Sequence, residues 1–301
     1  MNLANMSSSD LAQLLERKVT GLEVQSTETR GGQRRVFVGS IGKKMYALKV
    51  FAGYSDALVR AQRELLTLKK CRSQHLVRPG PFDLIRLNEP DDDDSRDEEP
   101  AALWLYIEEF VDGESLRQRL LRGPLSIEET FRLALESLDG IEALWWKQRV
   151  HRDLKPANIM IRRTDSAFLI IDVGYVLVLD SSRVTSPHLA VGTPGYMAPE
   201  QFTGLRPRVD FRADVFGLGA CLYEALTGQQ PFRKPGDIKE DVLRRTINET
   251  PQSPIVVRNE TPGCLSEIVL KMLAKKPHLR PRNVSVLRRE LEECRQEDRS
   301  K

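Results

Sequence analysis

A change in sequence pattern near Gly113 constrains the fold of this chain more than any other feature. Before it, short β-branched and apolar runs such as VFVGSI and MYALKVF are separated by turn residues, which is typical of antiparallel strands. One helical pattern interrupts these strands between Asp56 and Cys71. The strands are expected at about 22–50, as a meander of three, and at about 81–87 and 103–108.

Helices dominate after this point. Ser126 and Glu129 form the pattern of a capping box, which predicts a long amphipathic helix ending near Gln148. A short hairpin, NIMI paired with FLII, follows it. Further helical patterns are expected at about 209–228, 236–247, 264–274 and 283–296. A β-rich part followed by an α-rich part predicts an α+β fold of two lobes with a cleft between them.

The pattern therefore divides the chain into five segments. We expect an N-terminal extension, a small antiparallel β-lobe with one helix, a hinge, a larger helical lobe and a short tail. These segments are expected at 1–20, 21–108, 109–113, 114–296 and 297–301. The first twenty residues are too polar and too short to be assigned a structure.

The composition is that of a folded domain, with 40% hydrophobic residues, 30% charged residues and a formal net charge of +3. Neither this charge nor any block of Lys and Arg favours a nucleic-acid partner. Residues 89–99 hold eight acids and one Arg, and we expect a solvated loop there. The chain has no signal-peptide pattern and no apolar run of the ~20 residues that span a bilayer. No membrane segment and a cytoplasmic location are expected.

The four cysteines lie far apart and form no CxxC pair. They suggest neither a zinc site nor a disulfide framework, and they fit a reducing cytosol.

The segment His151-Arg152-Asp153-Leu154-Lys155-Pro156-Ala157-Asn158 resembles the catalytic loop of protein kinases. Two later segments, TPGYMAPEQ and ALTGQQPF, are similar in sequence to bacterial members of the eukaryotic-type (Hanks-type) Ser/Thr protein kinases. The resemblance implies that Asp153 accepts the proton of the substrate hydroxyl and that Asn158 binds a metal ion. It implies that Lys155 steadies the transferred phosphoryl group.

Two further motifs carry the same resemblance. Asp172 begins Asp-Val-Gly where the family has Asp-Phe-Gly, which implies a second metal ligand next to a shortened apolar residue, Val173. Tyr-Ala-Leu-Lys ends in Lys49 and resembles the motif of the phosphate-binding lysine, and Glu64 lies in the predicted helix. Lys49 and Glu64 are expected to pair and to hold the ammonium against the α and β phosphates.

The glycine loop is the weakest match. The three glycine positions of the family read Thr29, Gly31 and Arg34 here, with an additional Gly32. The backbone amides of Gly31 and Gly32 are expected to approach phosphate, with positive charge added by the nearby arginines. These arginines are Arg30, Arg34 and Arg35. An ordinary hairpin turn is the alternative.

The segment from Leu105 to Gly113 resembles the strand and linker whose backbone receives adenine, here at Glu109 and Val111. Glu108 falls at the gatekeeper position, which is usually apolar or Thr, and we hypothesise that it competes with Glu64 for Lys49. Three apolar residues are expected to enclose the adenine, although plain core packing explains them equally well. They are Val36, Ala47 and Met160.

The segment from Asp172 to Glu200 resembles an activation segment with a Ser/Thr-specific end, TPGYMAPE. Thr193 matches the threonine that bridges toward the catalytic Asp and Lys. A phosphate on Ser181, Ser182, Thr185 or Ser186 is expected to pair with Arg152. Asp214 begins a motif that resembles the helix anchoring the catalytic loop, and Arg280 resembles the arginine that pairs with the Glu of APE.

The resemblance implies ATP and Mg²⁺, or Mn²⁺ in its place, as cofactors. It implies protein substrates with Ser or Thr and autophosphorylation. The sequence leaves the oligomeric state open, with a dimer as one option. Two alternatives remain open. One is a nucleotide-binding pseudokinase scaffold, motivated by the altered glycine loop, Val173 and Glu108, and the other is a small-molecule phosphotransferase.

Overall fold

The computed structural model describes residues 3, 6–31, 34–53, 55–88, 102–173, 177–178, 192–202 and 209–300. Side chains are described for the same residues except 26–31, 55–56 and 177–178. The chain divides into two compact units. The first comprises Met1–Lys70 and Val77–Val111, and the second comprises Cys71–Leu76 and Asp112–Lys301.

The first unit is built on an antiparallel sheet. Its strands are β1 (Leu22–Gly31), β2 (Arg34–Ile41), β3 (Lys44–Gly53), β4 (Ile85–Arg86) and β5 (Ala102–Glu109), in the order β1-β2-β3-β5-β4. The first three strands form the predicted meander. Helix α2 (Ser55–Lys70) matches the single helix expected in this lobe.

One face of this sheet is an apolar core. Since side chains alternate between faces along a strand, Phe37, Leu48, Val50, Leu105 and Ile107 all point to the same side and are buried. Leucines from the N-terminal segment complete this cluster. The other face therefore remains for polar residues of the site.

The N-terminal leucines belong to a helix, α1 (Ser8–Lys18), in the segment to which no structure was assigned from the sequence. The Ser7 side chain caps the helix by accepting the N–H of Asp10 at 3.1 Å. Leu11, Leu14 and Leu15 are buried, at the three- and four-residue spacing of an apolar helix face. The capping serine and the leucine spacing are the features of the sequence from which this helix could have been predicted.

Arg35 of β2 fixes the chain before this helix. It is buried, and its guanidinium donates to the carbonyl oxygens of Leu3 at 3.1 Å and Met6 at 2.6 Å and to the Ser8 hydroxyl at 3.1 Å. The expectation that Arg35 adds positive charge for phosphate is therefore wrong. Arg35 and Arg34 are adjacent in a strand and point to opposite faces, and only Arg34 shares the face of Lys49.

The second unit is mainly helical. Its helices are α3 (Leu116–Leu120), α4 (Ile127–Trp145), α5 (Phe211–Thr227), α6 (Lys239–Asn248), α7 (Pro254–Val257), α8 (Gly263–Met272) and α9 (Val284–Arg299). The predicted capping box is present, since the Ser126 hydroxyl accepts the Glu129 N–H at 3.1 Å and the Glu129 carboxylate accepts the Ser126 N–H at 2.8 Å. Helix α5 is buried over nearly its whole length.

Short strands complete the second unit. They are β6 (Gly113–Ser115), β7 (Arg149–Val150), β8 (Ile159–Arg162), β9 (Phe168–Ile170) and β10 (Leu177–Val178). Strands β8 and β9 form the predicted hairpin and pair with β6, while β7 pairs with β10.

Helices α8 and α9 are joined by a disulfide between Cys264 and Cys294, whose Cα atoms lie 5.7 Å apart. The expectation of no disulfide is therefore wrong for this pair. The two cysteines are separated by 30 residues in sequence, and only the packing of α8 against α9 brings them together. Cys71 and Cys221 are buried free thiols.

Among the described residues, no helix combines the length and the apolar character needed to cross a membrane.

Candidate active site

The predicted catalytic loop lies between β7 and a 3-10 turn at Pro156–Asn158. Asp214, near the start of α5, accepts the N–H groups of His151 and Arg152, both at 2.8 Å. Burial raises the pKa of the Asp214 carboxyl, while the nearby His151 and the two backbone bonds oppose that shift. Arg152 has a left-handed φ of 67°, a conformation costing a non-glycine residue about 1–2 kcal/mol. The bonds to Asp214 hold the loop in this shape.

Glycine allows α5 to lie close behind the loop. A Cβ atom at Gly217 would come within 3.1 Å of the Leu154 Cβ, which is tighter than ordinary contact. The helix that carries Asp214 is therefore packed directly against the loop that it anchors.

The Asp153 carboxylate is the centre of a three-residue contact. The Lys155 ammonium lies 2.7 Å from Asp153 Oδ2 and 2.9 Å from Thr193 Oγ1, and the Thr193 hydroxyl donates to Asp153 Oδ1 at 3.1 Å. Asp153 is buried, whereas the Lys155 side chain is 25% exposed. Thr193 thus makes both contacts expected from the sequence.

The two proposed metal ligands lie at one end of the β8–β9 hairpin. The Asn158 amide nitrogen donates to the Asp153 carbonyl at 2.9 Å and to its carboxylate at 3.1 Å, which orients the amide oxygen away from Asp153. The Ile171 N–H donates to the Asn158 carbonyl at 2.9 Å, so Asp172 follows directly after this bond. A carboxylate and an amide oxygen are hard ligands that fit Mg²⁺.

A buried ion pair anchors the segment that contains Thr193. Arg280 donates to both Glu200 oxygens, at 2.6 and 2.9 Å, and to the carbonyl oxygen of Arg212 at 2.8 Å. Both partners of the pair are buried. The bidentate geometry and the additional carbonyl bond satisfy the guanidinium away from water. This is the pairing expected from the sequence.

The first unit contributes one face of its sheet. Val36 pairs with Lys49 across β2 and β3, and Ala47 pairs with Glu108 across β3 and β5, so all four side chains share a face. Arg34 lies two residues before Val36 on the same face. Four of the residues chosen from sequence are therefore brought together here.

Charged side chains form a chain of contacts on this face. Lys49 lies 3.4 Å from Glu64 Oε1, the expected pair, and 2.6 Å from Glu108 Oε1. Arg34 lies 2.9 Å from the other Glu64 oxygen. The gatekeeper acid therefore binds the same ammonium as Glu64 and lies closer to it. Sequence reasoning missed the Arg34 contact because Arg34 stands at a glycine position of the family, so the resemblance implies no partner for its side chain.

The expected adenine-binding residues lie in both units. Glu109 is the last residue of β5, where the chain leaves the sheet, and its N–H donates to the Arg78 carbonyl oxygen at 2.9 Å. Val111 is half-buried. Val36 and Ala47 are half-buried beside Lys49. Met160 is half-buried on β8 in the second unit.

The predicted glycine loop is a hairpin connection. Gly31 pairs with Arg34, which leaves two residues between β1 and β2. Gly31 is described in its backbone. Several predicted residues lie outside the described residues or side chains: Gly32, the Arg30 side chain, Gly174, Ser181, Ser182, Thr185 and Ser186.

A β-rich unit with a lysine–glutamate pair and a helical unit with an anchored Asp-Lys-Thr cluster define the architecture of a protein kinase. The comparison with known families agrees, because the family described as "Protein kinase domain" matches residues 31–291. The chain belongs to the protein kinase family.

Three relatives illustrate the similarity. A probable serine/threonine-protein kinase of Streptomyces coelicolor is 35% identical over 197 residues, which cover 64% of this chain and 28% of the relative. Serine/threonine-protein kinase PknB of Mycobacterium leprae is 34% identical over 193 residues, covering 64% and 30%. Serine/threonine-protein kinase PknD of Mycobacterium tuberculosis is 30% identical over 255 residues, covering 82% and 36%. The match thus covers about a third of each relative's length.

Proposed function

We propose that this chain is an active Ser/Thr protein kinase domain that transfers the γ-phosphoryl group of ATP to protein hydroxyls. The observation that carries the proposal is the contact of Asp153, Lys155 and Thr193. It places a carboxylate, a cation and the end of the activation segment around one position. Relatives named as serine/threonine-protein kinases support the same choice of substrate hydroxyl.

The proposed nucleotide-binding residues follow from the resemblance to protein kinases. The adenine lies against Val36, Ala47 and Met160 and bonds the backbone at Glu109 and Val111. The amides of Gly31 and Gly32 approach the phosphates. The Lys49 ammonium binds the α and β phosphates, and Glu64 and Glu108 hold that ammonium in place. The segment 109–113 is the hinge between the lobes 21–108 and 114–296.

Asn158 and Asp172 are the proposed ligands of Mg²⁺, or of Mn²⁺ in its place. The bound ion supplies positive charge that offsets the charge on the phosphate oxygens. The Asn158 amide nitrogen is occupied by its two bonds to Asp153, which leaves the amide oxygen as the atom that would serve as a ligand.

The protein side chains carry the remaining chemistry. The Asp153 carboxylate orients the substrate hydroxyl and accepts its proton as the new O–P bond forms and the bond to ADP breaks. The Lys155 ammonium stabilises the negative charge on the moving phosphoryl group. Thr193 fixes the distance between these two groups and joins them to the substrate-docking segment.

Regulation is proposed to follow from autophosphorylation between Asp172 and Thr193, with Thr185 the first candidate and Arg152 as the partner of the phosphate. The proposed partners are protein substrates and a second copy of this chain, without nucleic acid or membrane. The proposed compartment is the cytoplasm. The disulfide between Cys264 and Cys294 is unusual for a reducing compartment and provides an independent check of that location.

The test is incubation with labelled Mg-ATP, alone and with generic protein substrates, beside an Asp153→Asn control. We expect label on Ser or Thr of protein in the parent and none in the variant. ATP binding without any transfer would instead indicate a nucleotide-binding scaffold. Label found only on a small hydroxylated compound would indicate a small-molecule phosphotransferase.

A further inference from the structure

Two departures from the kinase sequence pattern meet in one network of charges. Arg34 stands where the glycine loop of the family has a glycine, and Glu108 stands at the usually apolar gatekeeper position. They lie on different strands, and each contacts one member of the Lys49–Glu64 pair.

The contacts alternate in sign along the network. Arg34 lies 2.9 Å from Glu64 Oε2, Lys49 lies 3.4 Å from Glu64 Oε1, and Lys49 lies 2.6 Å from Glu108 Oε1. The Glu64 side chain is fully buried, those of Lys49 and Glu108 are 9% and 4% exposed, and that of Arg34 is 24% exposed. Water therefore screens these charges weakly.

Charge balance links the two unusual residues. Lys49 and Glu64 sum to zero without them. Adding Glu108 alone leaves this buried group one negative charge in excess, and adding Arg34 alone leaves one positive charge in excess. Among these described contacts, Arg34 adds a positive charge beside Glu64 and Glu108 adds a negative charge beside Lys49, so each added charge is expected to offset the other and to be less costly together than alone.

Geometry links them as well. Arg34 occupies one oxygen of Glu64, so the other oxygen remains directed at Lys49, at a longer distance than a strong charged hydrogen bond. Glu108 supplies the close contact that Lys49 lacks from Glu64. Each unusual residue thus completes the contacts of one member of the pair.

We propose that Arg34 and Glu108 are a matched pair of positioning residues that together hold Lys49 and Glu64 for nucleotide binding. Arg34 acts through Glu64, and Glu108 acts directly on Lys49. The effect on the charge network stands without catalysis, whereas the effect on ATP rests on the proposed function.

A double-mutant cycle tests the proposal with Arg34→Gln and Glu108→Gln, which remove charge at small cost in shape. Denaturant unfolding and the KM for ATP are measured for the parent, both single variants and the double variant. We expect each single change to destabilise the protein, so that its equilibrium constant for unfolding rises about tenfold. We also expect each change to raise the KM for ATP about tenfold, with little change in kcat. In the double variant, the change in each of these two quantities is expected to be about tenfold smaller than the product of the two single changes.

Two further variants distinguish positioning from general structural damage. Arg34→Lys restores the charge, so it is expected to recover the KM for ATP to within about threefold of the parent. Pairing Glu108→Gln with Lys44→Gln, at an exposed lysine of the same sheet, is expected to give additive effects. The family-like pair Arg34→Gly and Glu108→Met serves as a second cycle if a glutamine variant does not fold.

Additive losses in both unfolding and KM would overturn the matched pair while leaving the kinase proposal intact. Non-additive effects on unfolding, in a chain that never transfers phosphate, would support the pairing of Arg34 with Glu108 and reject the proposed function. Coupling in both measurements supports the inference in full.

Discussion

The candidate site residues form two groups, one in each unit, and the two groups are built in different ways. In the helical unit, Asp153, Lys155 and Asn158 come from one loop of eight residues, and Thr193 joins them from the activation segment. In the β-rich unit, each of the four charged residues comes from a different element: Arg34, Lys49, Glu64 and Glu108. The first half follows the family pattern, and the second half departs from it at two of four positions.

This difference predicts that substitutions in the helical unit affect mainly catalysis, whereas substitutions in the β-rich unit also affect stability. The Lys155 side chain is partly exposed and contacts Asp153 and Thr193, which are proposed to act in catalysis, so changes there are expected to affect catalysis first. Lys49 joins two buried carboxylates, so changes there are expected to affect folding as well. Substitutions in each half test whether the separation holds.

The largest effect is expected from Asp153→Asn in the helical half. The variant keeps the size of the side chain but removes the proton acceptor, so kcat is expected to fall by about 10²–10⁴-fold. ATP affinity is expected to remain that of the parent. Steady-state kinetics and equilibrium ATP titration measure the two quantities, and a large loss of ATP affinity would contradict a purely chemical role.

Lys49→Met tests the β-rich half. It leaves the carboxylates of Glu64 and Glu108 buried without their shared ammonium, so the free energy of unfolding is expected to fall by about 3–5 kcal/mol. Urea unfolding measures the change. Lys44→Met, at an exposed lysine of the same strand, is the control and is expected to change stability by less than about 0.5 kcal/mol. Equal effects of the two variants would contradict the network.

Leu15→Ala tests the support of the sheet from its other face. Leu15 is fully buried in the core shared by α1 and the sheet, so the free energy of unfolding is expected to fall by about 2–5 kcal/mol. Gln13→Ala, at an exposed position of α1, is the matched control in the same unfolding experiment. A loss no greater than that of the control would mean that α1 does not stabilise this unit.

Reduction of the disulfide tests the helical unit away from the site. Opening the link between Cys264 and Cys294 is expected to lower the free energy of unfolding by about 2–4 kcal/mol, mainly because the unfolded chain gains freedom. Unfolding with and without a reductant measures the loss, and a Cys264→Ser variant is expected to show no response to reductant. An unchanged parent would indicate that the bond does not form in solution.

The fold was largely predictable because its strands and helices have strong local patterns. The Ser126 capping box and the meander before Val50 depend on neighbouring residues, and both are present. Helix α1 was not assigned, because a short amphipathic segment is stabilised by a sheet face that the sequence does not display. The Cys264–Cys294 bond depends on helix packing in the same way.

The contacts of the candidate site residues also divide into those that were anticipated from the sequence and those that were not. The resemblance to protein kinases was enough to anticipate the contact of Thr193 with Asp153 and the pair of Glu200 and Arg280. Arg34 was expected to add positive charge near the phosphates, and its contact with Glu64 was not anticipated, because strand register and helix position decide which charges meet. Contacts between distant elements that the family resemblance does not imply need the structure.

The most direct test of the account is a crystal structure with Mg²⁺ and a non-hydrolysable ATP analogue. We expect the Lys49 ammonium at the α and β phosphates, a metal ion bound by Asn158 and Asp172, and the Asp153 carboxylate beside the terminal phosphate. A nucleotide bound elsewhere, or one that makes none of these contacts, would contradict the proposed phosphoryl-transfer function.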